Sequence, residues 1–412
     1  MIRGFADGFV SVLLAQYLTD LGFSPLRVGA IITATLLGSA GLTLVFGLNA
    51  HRTSLGRLLV WASVLMVATG VGFVATTAFW PLLVVAAVGT LNPSSGDVSV
   101  FLPTEQAFLA DRVEGPARTR LYAVYNLGAV LAGALGALAS GIPSRLAKVT
   151  GWELVSVERA SFVLYALAGV MILVIYRSIP GRELTTRRES SSPASPAHDP
   201  GESGRVASSG RALGSSRRIV LELAALFSLD SAGSGFVGTS LLVLWLHLRF
   251  DLTAGTTAGV FFAAGILGAC SQLLAPVLAS RIGLVRTMVF THMPANVLLA
   301  LAAFAPNGGV AIALLLTRAL FAQMDVPARQ AFVMAVVPPE HRAAASSITN
   351  VPRSLASATT PLIAGALLTR TTFGWPLLIA GVMKITYDVV LLVLHRDTPE
   401  AVARPATETP AA

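Results

Sequence analysis

Cysteine is almost missing from this sequence: Cys270 stands alone in 412 residues, so no disulfide can form within the chain. The six histidines, at positions 51, 198, 247, 292, 341 and 395, lie far apart, and none has a partner four residues away on a helix. That leaves no ligand spacing for a metal site. Charge is scarce as well: Asp, Glu, Lys and Arg make up 12% of the chain, about half the share of a soluble domain, which argues against a soluble multidomain enzyme. No glycine-rich phosphate loop is present to hydrolyse ATP, and no nucleophile, base and orienting group share a motif. No cofactor is expected. Among the 29 basic residues only Lys148 and Lys384 are lysines. The arginines gather in short segments between apolar runs without interleaved aromatics, a pattern of membrane topology and not of nucleic-acid binding.

What the chain has in excess is apolar sequence, 54% of its residues. Runs with few charges cover Gly4–Asp20, Val28–Ala50, Leu58–Ala78, Pro81–Ala110, Leu121–Ile142 and Ala160–Tyr176. After a polar stretch follow Ile219–Leu248, Ala258–Ala279, Val285–Ala305, Val310–Val337, Ala343–Leu368 and Trp375–Leu394. A bilayer crossing takes about 20 apolar residues, so the expectation is an all-α polytopic membrane protein with twelve transmembrane helices. The polar stretch is rich in Ser, Pro, Gly and Arg and has few bulky apolar residues, the composition of a disordered linker. The expected organisation is a six-helix bundle over 1–176, a linker over 177–218, a second six-helix bundle over 219–395 and a tail over 396–412.

Orientation follows from the basic residues. The linker holds eight arginines, and the short segments on its side of the membrane hold Arg3, Arg52, Arg57, Arg112, Arg118, Arg120, Arg281, Arg286, Arg342, Arg396 and Arg404. The opposite side holds Arg27, Arg145, Lys148, Arg159, Arg249 and Arg370. The excess places linker and both termini in the cytoplasm, in a plasma membrane that is expected to be a bacterial inner membrane. Trp80, Trp152, Trp245 and Trp375 fall near the outer helix ends, where an interfacial belt is expected. The first apolar run lacks a small-residue cleavage site and reads as a retained helix.

The two halves repeat each other. Gly8-Phe9-Val10 recurs as Gly235-Phe236-Val237, and Pro103-Thr-Glu-Gln-Ala-Phe108 recurs 224 residues later as Pro327-Ala-Arg-Gln-Ala-Phe332, with Arg118 falling on Arg342 and Asn126 on Asn350. In this register helix 1 is about a dozen residues shorter than helix 7 ahead of the glycine, so the expectation is either a short helix 1 or a start further upstream. Two pseudo-symmetric halves related by a parallel repeat are a known transporter architecture.

With these features the chain resembles the major facilitator superfamily. Gly47-Leu-Asn-Ala-His51-Arg52-Thr-Ser-Leu-Gly56-Arg57 after helix 2 is similar to that family's Gly-x-x-x-Asp-Arg-x-Gly-Arg-Arg motif, and Ser280-Arg281-Ile-Gly283 is a weaker repeat of it after helix 8. His51 and Ser280 stand where the family pattern has Asp. Thr360-Pro361-Leu-Ile-Ala-Gly365 resembles an element of drug/proton antiporters, although in helix 11 instead of helix 5. The resemblance implies alternating access around a central cavity lined by helices 1, 4, 7 and 10.

The acids follow that division. Asp7 is in helix 1, Asp97 and Glu105 in helix 4, Asp230 in helix 7 and Asp325 in helix 10. Ionisable groups at membrane depth are functional candidates by default. Asp230 lies 12 residues after Arg218, about 18 Å along a helix at 1.5 Å per residue, near the bilayer centre. Beside the acids stand helix-weakening residues, namely Gly4 and Gly8, Asn92, Pro93 and Gly96, Gly233 and Gly235, and Pro327, which predict broken helices at a midplane site. Asp7, Asp97, Asp230, Arg318 and Asp325 are therefore the expected substrate and proton-coupling residues, with Asp97 or Asp230 carrying the proton and Arg318 modulating it. Asn92, Ser94, Ser95, Gln323, Tyr125 and Asn126 are weaker cavity candidates. Arg52, Arg57, Glu105, Arg329, Arg281 and Arg353 are expected at the gate, with Glu105 and Arg329 of opposite sign at near-equivalent positions and able to pair across the halves, or with Arg353 or Arg342. Lys384 and Asp388, four residues apart on helix 12, read as a neutralising structural pair.

Five cavity acids against two bases favour proton-coupled efflux of a small amphipathic or cationic compound. The alternatives are proton-coupled uptake of a polar or anionic metabolite held by Arg318 and Arg329, and a transporter-like sensor or lipid-moving protein whose arginine-rich linker docks a partner or anionic lipid. The expected partners are a small-molecule substrate, protons and the lipid bilayer, with no nucleic acid, for a chain acting as a monomer.

Overall fold

Apolar runs of this length leave the backbone few ways to satisfy its own N–H and C=O groups in a membrane, and the helix is the one that needs no neighbour. The computed structural model describes residues 1–49, 55–93, 101, 105, 116–178, 217–336 and 342–395, and among these all regular structure is helical. The helices are α1 (Ile2–Asp20), α2 (Pro25–Asn49), α3 (Leu55–Ala75), α4 (Phe79–Val88), α5 (Pro116–Ala139), α6 (Ile142–Thr150) and α7 (Leu154–Ser178) in the first half. The second half has α8 (Arg217–Phe236), α9 (Thr239–Phe250), α10 (Ala254–Ile282), α11 (Leu284–Ala302), α12 (Gly308–Ala319), α13 (Asp325–Val336), α14 (Arg342–Arg370) and α15 (Trp375–His395). Eight stretches among the described residues are long and apolar enough to cross a membrane, and α4, α9 and α12 are shorter apolar helices. Most of the linker and the tail lie outside the described residues.

The expected breaks occur in part. The helix 7 run divides at Val237-Gly238 into α8 and α9, and the helix 10 run divides at residues 320–324 into α12 and α13. Pro327 sits in the first turn of α13, where a missing N–H costs nothing. The helix 4 run leaves helical geometry at Gly89, whose backbone is extended. Helix 1 is a correction: α1 runs unbroken through Gly4 and Gly8. These glycines serve packing, since a Cβ on Gly8 would overlap the backbone of Gly133 on α5. Small residues let membrane helices approach closely. A second correction concerns Trp245, which is fully buried and set edge-on to Phe250 at 5.4 Å, not placed in an interfacial belt.

Tyr176 near the end of α7 donates to Glu105, which pairs with Arg3 near the start of α1, so these two helix ends mark one side, termed here the terminal face. The halves are fastened on the opposite, distal side. Ser240 Oγ of α9 donates to the carbonyls of Ser11 (2.6 Å) and Pro93 (3.2 Å), and Gln16 Nε2 donates to Thr257 Oγ1 at 2.8 Å. Along α2 and α14, Leu26 N–H donates to Thr369 Oγ1 (3.1 Å) and Leu362 N–H to Thr33 Oγ1 (2.9 Å). Between these two bonds a Cβ on Gly29 would lie 3.1 Å from the Cα of Gly365. The inter-half bonds named here run from the middle of α1 to the distal ends of α2 and α14.

Candidate functional site

Two charged clusters stand toward the terminal face, one in each half. In the first, Arg3 and Asp7 are one turn apart on α1, which brings Nη1 of Arg3 to 3.0 Å from Oδ2 of Asp7. Nη2 of the same guanidinium reaches Glu105 Oε2 at 3.2 Å and the Tyr125 hydroxyl at 3.3 Å. Tyr125 donates onward to Glu105 Oε2, and Tyr176 donates to Glu105 Oε1 at 2.7 Å. Asp7 and Asn92, the latter in the extended stretch after α4, are both buried. The Phe101 ring lies 5.7 Å from the Arg3 guanidinium carbon. One arginine thus faces two carboxylates, and Glu105 is the one enclosed by three donors.

The second cluster centres on Asp230 of α8. Lys384 Nζ of α15 lies 2.7 Å from Oδ1, Arg329 Nη1 of α13 3.0 Å from Oδ2, and His292 Nε2 of α11 3.6 Å from Oδ1. Arg329 also bridges to Asp325, one turn earlier, at 3.3 Å, and Asp325 sits in the first turn of α13, where a carboxylate complements the helix dipole. Lys384 donates a further bond to Ser234 Oγ at 2.7 Å. Behind His292, Asp388 pairs with Nδ1 of that ring and with Asn296 Nδ2, each at 2.9 Å. Asp230, Asp325, Lys384, Asp388, His292 and Asn296 are all buried. Isolated charges there would be costly, and mutual pairing is what makes them tolerable.

The two clusters are related by the sequence repeat. The step from Gly8 to Gly235, 227 positions, carries Arg3 onto Asp230 and Asp7 onto Ser234, while the 224-residue step carries Glu105 onto Arg329. Arg3–Glu105 and Asp230–Arg329 are the same pair with the signs exchanged.

Of the residues singled out from sequence, Asp7, Glu105, Asn92 and Tyr125 meet in the first cluster, and Asp230, Asp325 and Arg329 in the second. Arg318, near the end of α12, faces Asp230 and Asp325 electrostatically. Arg353 donates to Ser231 Oγ at 3.1 Å and lies over the Phe227 ring, as Arg329 does. Asn126 is exposed beside Tyr125, Gln323 is exposed near Gly268, and Arg57 and Arg281 are exposed at helix ends. Asp97, Ser94, Ser95 and Arg52 lie outside the described residues.

Two expected pairings are corrected. Glu105 and Arg329 do not pair across the halves, because each has opposite charge within its own half. Lys384 does not pair with Asp388, because Asp230 lies closer to its ammonium and His292 and Asn296 occupy the carboxylate. Sequence reasoning also missed Arg3, Tyr176, His292 and Asn296 as members of these clusters. The available signal was the repeat, which places Arg3 on Asp230.

Helices in two repeated halves, fastened on one side and holding paired charges toward the other, define a membrane transporter fold. The sequence profile of the Major Facilitator Superfamily matches residues 1–322 and 294–412, so the chain belongs to that family, and it is an integral membrane protein and a transporter, not an enzyme. Among curated proteins it is 24% identical over 407 residues to an uncharacterized membrane protein, YJR124C, of Saccharomyces cerevisiae, covering 95% of this chain and 91% of that one. Among solved structures it is similar to the nucleoside transporter NupG, with TM-score 0.66, 13% identity and 96% of each chain covered. It is likewise similar to the inward open conformation of the xylose transporter XylE from E. coli, with TM-score 0.70, 14% identity and 98% and 95% of the two chains covered.

Proposed function

We propose that this chain is a proton-coupled secondary transporter in which Asp7 carries the coupling proton, and that it exports a small amphipathic or cationic compound. The observation that carries the reading is the charge balance of the first cluster, where Arg3 faces both Asp7 and Glu105. Among the described residues one negative charge is left over. Glu105 is held as a carboxylate by Arg3, Tyr125 and Tyr176, so the surplus falls on Asp7, and a proton there brings the cluster to neutrality. A monovalent organic cation does the same. Proton and cation then exclude each other from one site, which is the condition for antiport.

Asp230, the alternative carrier, is committed to Lys384 and Arg329. In this reading the second cluster holds α8, α11, α13 and α15 in register while the first cluster changes its protonation. The proposed setting is a monomer in a plasma membrane, with six-helix halves at 1–176 and 219–395, the segment 177–218 linking them, and both termini in the cytoplasm. The terminal face is then the inner face, and the structure corresponds to a state closed toward the outside.

The test is a thermal-stabilisation screen of the purified protein with organic cations, anions, sugars and lipophilic drugs at two pH values. A ligand that binds only the folded state raises the melting temperature. Cations are expected to stabilise more strongly at the higher pH, and Asp7→Asn is expected to remove that dependence. A second reading, uptake of an anion, is favoured by Arg318, whose buried Nε has no hydrogen-bond partner among the described residues. Stabilisation by anions alone, abolished in Arg318→Ala, establishes that reading in place of the first.

A further inference from the structure

Between the distal ends of α5 and α7 the chain forms α6, a helix of nine residues that is too short to cross a bilayer. Pro143 lies in its first turn, and Gly151, with φ at +72°, ends it and turns the chain into α7. Its residues sort into three faces. Pro143 and Ala147 are buried, and the helix packs on α7 and on α10 of the second half. Ile142, Leu146 and Val149, at spacings of four and three, form an exposed apolar stripe, with Val149 85% exposed. Arg145 and Lys148, three apart, form an exposed cationic face. A helix of this pattern lies in the bilayer interface, with its apolar stripe among the acyl chains and its cations at the headgroups.

A groove opens beside it on the outside of the bundle. It has a volume of about 480 Å³, and its lining includes Leu146 of α6, Trp152 and Glu153 of the connection, and Ser156, Ala160 and Leu164 of α7. Small Ser156 and Ala160 form a floor between the larger Leu146, Trp152 and Leu164, and all five are exposed. From Ser156 to Leu164 is eight residues, about 12 Å of helix at 1.5 Å per residue. That falls within the hydrocarbon depth of one leaflet, about 15 Å. Glu153, at the mouth, accepts a hydrogen bond from Ser156 Oγ at 3.0 Å.

The cations of α6 differ from others on the distal side. Arg27 lies over the Phe79 ring at 5.4 Å, and Arg249 donates to the carbonyls of Thr372 and Ala305. Among the described residues neither Arg145 nor Lys148 makes an ion pair or a side-chain hydrogen bond.

We propose that α6 and this groove form a binding site for one anionic phospholipid of the distal leaflet, with an acyl chain in the groove and the phosphate between Arg145 and Lys148. Residues three apart on a helix are neighbours, so both cations reach one phosphate. Two cations against Glu153 leave the mouth net positive, which selects an anionic headgroup over a zwitterionic one. The groove ends within one leaflet, so it fits a lipid chain entering from the distal interface. The site stands apart from both charged clusters and does not depend on the role given to Asp7.

The experiment reconstitutes the full chain in phosphatidylcholine vesicles that contain a graded fraction of phosphatidylglycerol with brominated acyl chains. Quenching of Trp152 is read as the emission of the parent protein minus that of Trp152→Phe. Brominated phosphatidylcholine and brominated phosphatidylethanolamine are the comparison probes. Half-maximal quenching is expected at a mole fraction of phosphatidylglycerol about tenfold below that of either comparison lipid, from two basic residues near a lipid phosphate. Arg145→Gln/Lys148→Gln, at two exposed positions, is expected to abolish that preference. Ala160→Phe, which fills the groove and keeps both cations, is expected to weaken quenching by phosphatidylglycerol. Arg370→Gln, which removes an exposed cation at the distal end of α14, is expected to leave the preference unchanged. Equal quenching by the three lipids, a preference for phosphatidylethanolamine, or a preference kept in Arg145→Gln/Lys148→Gln overturns the proposal. So does an equal loss in Arg370→Gln, which marks general attraction to a charged surface, or unchanged quenching in Ala160→Phe.

Discussion

Arg3 and Asp230 occupy the same position in the two halves and carry opposite charges. Each is paired with the residue at the equivalent place in helix 4 or helix 10, Glu105 at 3.2 Å and Arg329 at 3.0 Å. The geometry of the repeat is retained and the sign is exchanged. What differs is the surroundings: Asp230 gains Lys384 and His292, whereas Arg3 gains a second acid, Asp7. Among the described residues the first cluster is left with a surplus charge, and the second cluster is tied into the bundle.

If position and not sign sets this contact, exchanging the charges of one pair should be tolerated far better than reversing one of them. Arg3→Asp alone is expected to lose folded protein, since three carboxylates then crowd one site. The double variant Arg3→Asp/Glu105→Arg is expected to regain most of the melting temperature. The coupling between the two substitutions, read from a double-mutant cycle, should be about 1–3 kcal/mol.

Lys384 is the strongest test of the second cluster as a structural unit. Replacing it with Met leaves Asp230 buried with one cation fewer, and breaking a buried pair from one side costs about 3–5 kcal/mol. Removing both charges, as in Asp230→Asn/Lys384→Met, should recover most of that loss. Chemical or thermal denaturation in detergent measures the difference. If Asp230→Asn/Lys384→Met is no more stable than Lys384→Met, the ammonium and carboxylate are not coupled.

Gly8 allows α1 to lie against α5 at Gly133. A valine there places methyl groups where the Gly133 backbone already is, and overpacking of this kind costs about 1–3 kcal/mol. Gly8→Val is expected to lower the melting temperature and displace Arg3 from Glu105. Gly22, where nothing lies within reach of an added Cβ but φ is +80°, should show a smaller loss with alanine. Comparing the two separates crowding from backbone strain.

Helices were legible because twelve apolar runs announce them, and Asp7, Asp230 and Asp325 were legible because a charge inside such a run is unusual. Partners were not. Lys384 and Asp388 are four apart on one helix, and local spacing pairs them; only the packing of α15 on α8 and α11 shows that each faces another helix. Arg3 looked like a loop charge that sets topology, and its place inside the first cluster follows from α1 beginning at Ile2. Glycines beside the acids suggested broken helices, yet in α1 the neighbour across the contact is also glycine, so close packing wins over bending. Glu158 fell outside the predicted helix 6, because the charges of Glu158 and Arg159 put the start of the apolar run at Ala160, six residues after the boundary that the structure puts at Leu154.

The role of Asp7 is tested most directly by reconstituting the parent protein and Asp7→Asn in liposomes, with tetraphenylphosphonium as the probe cation. Two assays are run on each: movement driven by a pH gradient, and exchange of labelled for unlabelled cation without one. The parent protein is expected to perform both, and Asp7→Asn to lose the gradient-driven movement at least about tenfold, as expected for removal of an essential proton carrier, while keeping exchange. Gradient-driven movement in Asp7→Asn at the parent rate contradicts the assignment of the coupling proton to Asp7.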